Sequence, residues 1–398
     1  MRLAITFTNF GPYHRARLRA LGQAASRRGD RLIAYETAGR ERRYPWETGV
    51  RPEPFAWVTH FPEKALEDLG AIECARAMRQ ALERDQPDAV GIVGYVRPEC
   101  LAALDWAKAN GRPALLLSES QAVDRPRSWW KEAIKGRRVR VFDAALVGGP
   151  SHAAYLVALG MPAERIALGY NAVDHDHYAL LAEHARASEV GRRGLPDRPY
   201  FLTVARFAEE KNLERLIWSF ARYRGDAARD SAWDLVICGG GELAPRLVAA
   251  IRASGTTTAV HMPGFLQADM LARYYAHASA FVLPSLSEPW GLVANEAAAC
   301  SLPLLVSGRA GCARTLVPDP AGTTGRRFDP HDDEAITADL AWMAGLDDDE
   351  RRAMGRRARE IVAEWGPERF AQGFYESLGM AQGRRVERRS TRIMETRS

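Results

Sequence analysis

Residues Ala278–Cys312 read ASAFVLPSLSEPWGLVANEAAACSLPLLVSGRAGC. The apolar run Ala280–Leu283 predicts a short buried strand of a parallel sheet. A polar loop follows, Gly291 allows the chain to turn, and Leu292–Cys300 has the composition of a helix. A second apolar run, Leu302–Val306, predicts the next strand. A strand, a loop and a helix N-terminus in this order form anion and nucleotide sites in open α/β sheets.

Two glutamates flank the start of this helix, Glu288 before it and Glu296 within it, with seven residues between them. The first can reach hydroxyls of a ligand lying across the helix N-terminus, and the second can reach a further hydroxyl-bearing group. Backbone amides near Gly291, Leu292 and Val293 would hold phosphate between them, helped by the helix dipole. Hydroxyl, diphosphate and hydroxyl in that order describe a nucleotide-sugar. The alternative is that both glutamates are solvated surface carboxylates.

Three short motifs carry a family resemblance: Pro284-Ser285, Glu288-Pro289-Trp290-Gly291 and Asn295-Glu296-Ala297. Together they resemble the signature of the retaining GT-B glycosyltransferases of family 4 (glycosyltransferase group 1). The resemblance runs from about Tyr200 to Val317. The chain departs from the family pattern at three positions, which are Ser301, Cys312 and Thr315.

The resemblance implies an α/β fold with two Rossmann-like domains facing a cleft, and a C-terminal helix that crosses back to the N-terminal domain. It implies transfer of a sugar from a nucleotide-diphosphate sugar, most commonly a UDP-sugar. The acceptor would be a hydroxyl in a glycan, glycolipid or small-molecule pathway, and the new bond would form on the same face of the sugar. The leaving diphosphate oxygen would help to deprotonate the acceptor. We therefore expect no cofactor and no metal.

Arg206 and Lys211 follow the predicted strand Tyr200–Ala205 and are close enough in sequence to converge on one anion. Charge develops on the diphosphate as the bond to the sugar breaks, so cations at this place favour transfer. Their Arg-x-x-x-x-Lys spacing resembles the diphosphate clamp of the family. The alternative is an ordinary basic helix start that Glu209 and Glu210 neutralise.

Other candidate residues lie at further strand ends. Gly240, in a glycine-rich turn, and Gly264-Phe265 are expected to contact the donor, although the turn is equally consistent with a tight connection from strand to helix. Gly11, in the loop after the first strand, is the remaining donor-site candidate. Glu119 lies where the family often has a histidine, so it is a catalytic candidate, but an acceptor contact or a helix cap would explain it equally well.

Apolar runs alternate with helical stretches along both halves of the chain, which predicts parallel sheets with helices on both faces. We assign residues 1–190 to an acceptor-binding domain and 198–366 to a nucleotide-sugar-binding domain. Residues 367–398 would form the returning helix and a frayed basic tail. Within the first domain, a helix is predicted over Pro62–Arg84.

Composition limits the remaining interpretations. The chain has 398 residues and a net charge of +5, which does not call for a nucleic-acid partner. No apolar run approaches the ~18–20 residues of a membrane helix, so we expect a cytoplasmic protein. A nucleotide-sugar epimerase or hydrolase would need additional acid and base carboxylates that the sequence does not identify. A non-catalytic sugar-nucleotide-binding protein would be expected to lose part of the clamp.

Three further charged segments are interpreted from the sequence. Arg125–Phe142 carries seven basic residues against one Glu. Its face is either solvated, with Trp129 and Trp130 packed inward, or lies on anionic lipid at the inner face of the membrane. The basic residues after Gly11 meet an acidic acceptor or face solvent; they are His14, Arg15 and Arg17. The third segment, Asp174-His175-Asp176, is interpreted as structural.

Overall fold

The computed structural model describes residues 1–42, 52–125, 127–227, 232–319 and 322–395, with side chains up to residue 384. These residues form two α/β units. The first unit comprises Met1–Ala122, Pro126–Val173 and Trp365–Ser398, and the second comprises Asp174–Glu364 with the short segment Val123–Arg125.

The first unit is built on a parallel sheet of seven strands in the order β3-β2-β1-β4-β5-β6-β7. Its strands are β1 Arg2–Phe7, β2 Arg31–Arg40, β3 Ala56–Ala65, β4 Ala89–Val93, β5 Ala114–Ser118, β6 Ala144–Val147 and β7 Ile166–Leu168. The helices that connect them are α1 Pro12–Arg27, α2 Ala71–Asp85, α3 Pro98–Ala109, α4 Trp129–Val139 and α5 Pro150–Ala158. The central strands are apolar on both faces because helices cover both sides of the sheet.

The second unit repeats this architecture with six parallel strands in the order β10-β9-β8-β11-β12-β13. They are β8 Tyr200–Val204, β9 Asp234–Cys238, β10 Val260–Gly264, β11 Ala280–Leu283, β12 Leu304–Ser307 and β13 Gly325–Phe328, preceded by the helices α6 His175–Arg186 and α7 Glu189–Arg192. The remaining helices of this unit are α8 Leu213–Asp226, α9 Ala244–Ala253, α10 Ala268–His277, α11 Leu292–Ala299, α12 Ala313–Leu316, α13 Asp333–Gly345 and α14 Asp348–Ala363. Short 3₁₀ turns span Leu66–Asp68, Ala122–Asp124, Ala163–Arg165 and Glu209–Lys211.

The last helix, α15 Pro367–Glu395, belongs to the first unit although it follows the second in sequence. Phe370, Phe374 and Leu378 are buried in the same hydrophobic cluster as residues of β1, β5 and β6. The predicted α/β fold with a returning C-terminal helix is therefore confirmed. The helix also continues to Glu395, through the segment for which the sequence predicts a frayed tail.

The structure differs from the sequence-based expectations in the start of one helix and in the boundary between the two units. The helix predicted over Pro62–Arg84 begins only at Ala71, because Ala56–Ala65 pairs with β2 as an edge strand. Pro62 is compatible with a strand at this position, since an edge strand needs hydrogen bonds on one side only. The division between the units falls after Val173, whereas the sequence suggested 190, because α6 packs on α10 and α11 of the second unit.

Two expectations are wrong: the inward packing of Trp129 and Trp130, and the exposure of Arg15 and Arg17 to solvent. Trp129 and Trp130 are exposed, so they do not pack inward beneath the basic segment. Arg15 and Arg17 are buried rather than solvated: Arg15 pairs with Glu53 at 2.7 Å, and Arg17 donates to the Tyr170 carbonyl at 2.9 Å. Within the described ranges, no helix combines the length and the apolar character required to cross a membrane.

Candidate active site

The strand order of the second sheet reverses between β8 and β11, which are neighbours although two strands, β9 and β10, separate them in sequence order. Strands β9 and β10 extend the sheet on one side of this point, and β12 and β13 extend it on the other. In open parallel sheets the loops at such a switch point diverge and leave room for a ligand at the carboxyl ends of the strands. The loop after β8 carries Arg206 and Lys211, and the loop after β11 carries Glu288.

These two loops are joined by an ion pair. Lys211 Nζ lies 2.5 Å from Glu288 Oε2, and the Ser285 hydroxyl donates to the same oxygen at 3.2 Å. The backbone supports the pair, because the Leu286 amide donates to the Glu210 carbonyl at 2.9 Å. When a ligand enters the switch point, the carboxylate can accept hydrogen bonds from its hydroxyls and the ammonium group can pair with its phosphates.

Asn212 fixes the turn between α8 and the loop after β8, which carries Arg206 and Lys211 and is called the clamp loop below. It adopts the left-handed conformation, with φ 57°, which asparagine tolerates better than most residues. Its side-chain amide donates to the carbonyls of Pro284 and Pro330 at 3.1 and 2.8 Å. Asn212 therefore holds the end of β11 against the start of α8, and no motif in the sequence points to this residue.

Arg206 pairs with Glu210 at 2.6 Å, while Glu209 pairs with Arg246 at 2.7 Å. Burial would raise the pKa of Glu210, but hydrogen bonds and the charges of Arg206 and Lys211 outweigh this effect and hold the pKa below its usual value. The expected local neutralisation is thus present for Arg206. It does not apply to Lys211, whose partner lies 77 residues away.

The N-terminus of α11 lies directly after the Glu288 loop. Gly291 has φ +101°, and a Cβ there would lie 2.8 Å from Leu283 Cδ2, so the turn requires glycine. The first backbone amides of a helix have no partner within it, which leaves those of Leu292 and Val293 available for an anion. The loop is held by the Trp290 indole, which donates to Asn295 Oδ1 at 2.9 Å.

Glu296 lies on the buried face of α11 and is only 1% exposed. The hydroxyl of Tyr275, itself buried, donates to Glu296 Oε2 at 2.7 Å. The interpretation of Glu296 as a solvated surface carboxylate is therefore wrong. Sequence reasoning missed Tyr275 as the partner of Glu296, because Tyr275 lies on α10 and belongs to no recognised motif.

The ends of β9 and β10 meet beside the clamp loop. The Gly239 amide donates to the Gly264 carbonyl at 2.9 Å, and the Phe207 amide donates to the Gly240 carbonyl at 2.8 Å. A Cβ on Gly239 would lie 1.9 Å from the Ala205 carbonyl oxygen, so this glycine serves the tight turn. A Cβ on Gly240 would meet only Phe265, at 4.0 Å, and the Phe265 ring is about half exposed.

Gly11 and Glu119 lie in the first unit. The Gly11 amide donates to His14 Nδ1 at 3.2 Å at the start of α1, and burial together with Arg17 holds the pKa of His14 well below its usual value. Glu119 follows β5, is exposed and accepts from the Asn171 side-chain amide at 2.9 Å.

Metal ligands are not clustered in the part of the chain that is described: no group of three or more His, Cys, Asp or Glu side chains is placed to hold an ion. Asp174 caps α6, because its carboxylate accepts from the His177 amide at 3.1 Å. The structural interpretation of this Asp-x-Asp segment is confirmed for Asp174.

Known structures share this fold over nearly the whole chain. Sucrose-phosphate synthase from Thermosynechococcus elongatus superposes with a TM-score of 0.72 at 20% identity, covering 98% of this chain and 99% of that one. HepE from Anabaena, in complex with UDP and glucose, gives a TM-score of 0.69 at 16% identity, covering 95% and 99%. At these identities the likeness concerns the fold alone, and that fold is the GT-B architecture of two parallel-sheet domains.

Residues 189–361 match the family model of the glycosyl transferases group 1. The match covers the switch-point loops and α11, and it confirms that this part of the chain resembles glycosyltransferase group 1.

Two characterised relatives illustrate the range of this similarity. The sulfoquinovosyl transferase of Arabidopsis thaliana is 31% identical over 234 residues, which is 57% of this chain and 42% of the relative. The alpha-D-kanosaminyltransferase of Streptomyces kanamyceticus is 34% identical over 167 residues, which is 42% of this chain and 41% of the relative. The chain thus spans less than half of the length of these relatives.

Proposed function

We propose that this chain transfers a sugar from a nucleotide-diphosphate sugar, with UDP the expected nucleotide, to a hydroxyl acceptor. The observation that carries the proposal is the Lys211–Glu288 pair at the switch point of the second sheet, beside the N-terminus of α11. A cation, a carboxylate and the first amides of a helix in this arrangement support the binding of a diphosphate and its sugar. The match of residues 189–361 to the group 1 family model supports the same activity.

Each group has a role in the proposed reaction. Arg206 and Lys211 stabilise the charge that grows on the diphosphate, and the amides of Leu292 and Val293 bind a phosphate oxygen. When the diphosphate takes over part of the bonding to Lys211, the carboxylate of Glu288 can accept hydroxyls of the sugar. Glu296 would accept a hydrogen bond from a ribose hydroxyl.

The bond between C1 of the sugar and the diphosphate oxygen breaks, and its electron pair leaves with the diphosphate. The acceptor oxygen forms its bond to C1 on the same face, and its proton passes to the leaving diphosphate oxygen. Charge and protons therefore balance without a protein nucleophile and without a metal ion.

The names of the relatives span different sugars, and one of them acts on a lipid-linked acceptor. It is the GDP-mannose-dependent alpha-(1-6)-phosphatidylinositol monomannoside mannosyltransferase of Mycolicibacterium smegmatis, 32% identical over 188 residues, or 46% of this chain and 47% of the relative. We propose a sugar, lipid-linked or small-molecule hydroxyl as the acceptor class.

A panel of sugar nucleotides tests the donor. A ligand present at 100 times its dissociation constant should raise the free energy of unfolding by about 2.7 kcal/mol, which is visible as a higher melting temperature. Lys211→Ala should reduce this stabilisation only in part, because its contribution is greatest in the transition state, whereas Lys64→Ala should keep it in full. The control residue forms a comparable 2.7 Å pair with Glu73 on the surface of the first unit. Stabilisation by none of the UDP-, GDP- or ADP-sugars would contradict the proposal.

Product analysis tests the reaction itself. Incubation of the stabilising donor with candidate acceptors should release the nucleoside diphosphate, and the product should keep the anomeric configuration of the donor. The same yield is expected in excess chelator. Binding without any release of nucleoside diphosphate would reduce the chain to a sugar-nucleotide-binding protein, and activity that disappears with chelator and returns with Mn²⁺ would refute metal independence.

A further inference from the structure

Helix α4 of the first unit presents apolar side chains to solvent. Trp129 is 84% exposed, Trp130 is 50% exposed and Ile134 is 42% exposed. Just beyond the helix, Val141 is also exposed. Because residues four or seven apart share one face of a helix, positions 130, 134 and 137 form a single outward stripe. The opposite face is the one that packs on the unit, through Gly136 and Val139.

The charges of this helix are distributed unevenly. Its single acidic residue, Glu132, accepts from the Tyr155 hydroxyl at 2.7 Å and pairs with Lys135 at 2.8 Å. Burial would raise the pKa of Glu132, but these hydrogen bonds and nearby cations outweigh it and lower the pKa, so the carboxylate stays ionised and is neutralised by its partners. The exposed cations are Lys131, Arg137 and Arg140, and no acidic side chain of α4 faces outward with them.

A groove of about 560 Å³ runs between α4 and the end of α5. Small or apolar surface comes from Ala133, Gly136 and Leu159, and an aromatic ring and two guanidinium groups come from Trp129, Arg137 and Arg140. Glu132 also lines the groove, where its charge is neutralised by its pair with Lys135. Guanidinium groups bind phosphate oxygens in a bidentate geometry, and indole rings favour the boundary between lipid headgroups and acyl chains. The groove is therefore complementary to a phosphate headgroup with an attached acyl chain.

We propose that α4 and its flanking residues, the α4 surface, bind the first unit to a bilayer that contains anionic lipids. Trp129, Trp130 and Ile134 enter the headgroup boundary, and Lys131, Arg137 and Arg140 bind lipid phosphates. Charge complementarity selects an anionic surface. The apolar residues at the centre of the stripe favour lipid over a nucleic acid, which would meet the cations but leave Ile134 and Val141 unused. This surface goes beyond the proposed transfer reaction and requires none of its residues.

Co-sedimentation of the full chain with vesicles tests the proposal. Binding is expected to vesicles of equal parts phosphatidylglycerol and phosphatidylcholine, at least tenfold more weakly to pure phosphatidylcholine, and to fall in high salt as screening increases. Arg137→Gln with Arg140→Gln should weaken binding roughly 25-fold, at about fivefold for each cation near the surface. Arg352→Gln with Arg357→Gln is the matched control, since these arginines are exposed on α14 of the second unit.

The aromatic residues require a separate measurement. Lipids brominated near the headgroup should quench part of the Trp fluorescence, and Trp129→Phe with Trp130→Phe should remove most of that quenching. Trp218→Phe, which changes an exposed Trp on α8, should leave it unchanged. Lack of binding at low ionic strength would overturn the proposal, as would equal losses in the control variants. Equal binding to vesicles and to a soluble polyanion, without quenching, would show a general polyanion surface instead.

Discussion

Glu288 Oε2 accepts hydrogen bonds from both Lys211 and Ser285, and the side chains of the ion pair are only 14% and 11% exposed. A carboxylate in this setting is oriented before any ligand arrives. Preorganised charge of this kind is effective in catalysis because little reorganisation is needed when charge develops in the transition state. The consequence is that single substitutions at this point should affect rate more than folding of the rest of the chain.

Arg206→Ala and Lys211→Ala test the clamp. Each should lower kcat by about 10²–10³ while changing donor binding less, because the charge on the diphosphate is greatest in the transition state. Steady-state kinetics with the stabilising donor measure the effect, and circular dichroism checks the fold. Full kcat in both variants would show that the clamp is assigned to the wrong residues.

Glu296 and Tyr275 separate a binding role from a structural one. Glu296→Gln should raise KM for the donor by about tenfold and largely keep kcat, because the proposed ribose contact would be equal in the ground state and the transition state. Tyr275→Phe, which removes only the hydroxyl bonded to Glu296, should lower the free energy of unfolding by about 1–2 kcal/mol. If Glu296→Gln lowers stability without changing KM, the carboxylate has a structural role only.

At the level of elements, the start of α11 depends on one backbone conformation. Gly291→Ala should cost roughly 1–3 kcal/mol, because alanine is strained at φ +101° and its Cβ would crowd Leu283. Donor binding should weaken as well, since the helix amides would move. Gly345→Ala, at the end of α13 with nothing within 4 Å of the added Cβ, is the control and should be neutral. Equal stability of the two variants in thermal denaturation would contradict this account of the turn.

At the level of the whole molecule, α15 makes the first unit discontinuous in sequence. Phe374 is completely buried, and the Tyr375 hydroxyl donates to Asp30 at 2.9 Å. Phe374→Ala should therefore lower the free energy of unfolding by about 3–5 kcal/mol. A chain that ends before Pro367 should lose the fold of the first unit, whereas one that ends after Arg384 should keep it. Intact near-ultraviolet circular dichroism in the shorter chain would refute this dependence.

The sequence alone determined the α/β class, the positions of the motif loops and the start of α11. These features depend on local signals: apolar runs of strand length, glycine at a turn that needs positive φ, and side-chain spacing over a few residues. Edge strands such as β13 Gly325–Phe328 escaped prediction, since a four-residue strand with two arginines has no apolar run and is fixed by pairing with β12.

Only the tertiary structure decided which charged groups meet. Lys211 pairs with Glu288 rather than with its neighbours because β8 and β11 lie side by side in the sheet. Glu296 is buried against Tyr275 because α10 lies beside α11, and Trp130 is exposed because it lies on the face of α4 opposite the buried Val139. Such contacts join residues distant in sequence, and their energies depend on burial and on the partner's position, neither of which a local pattern contains.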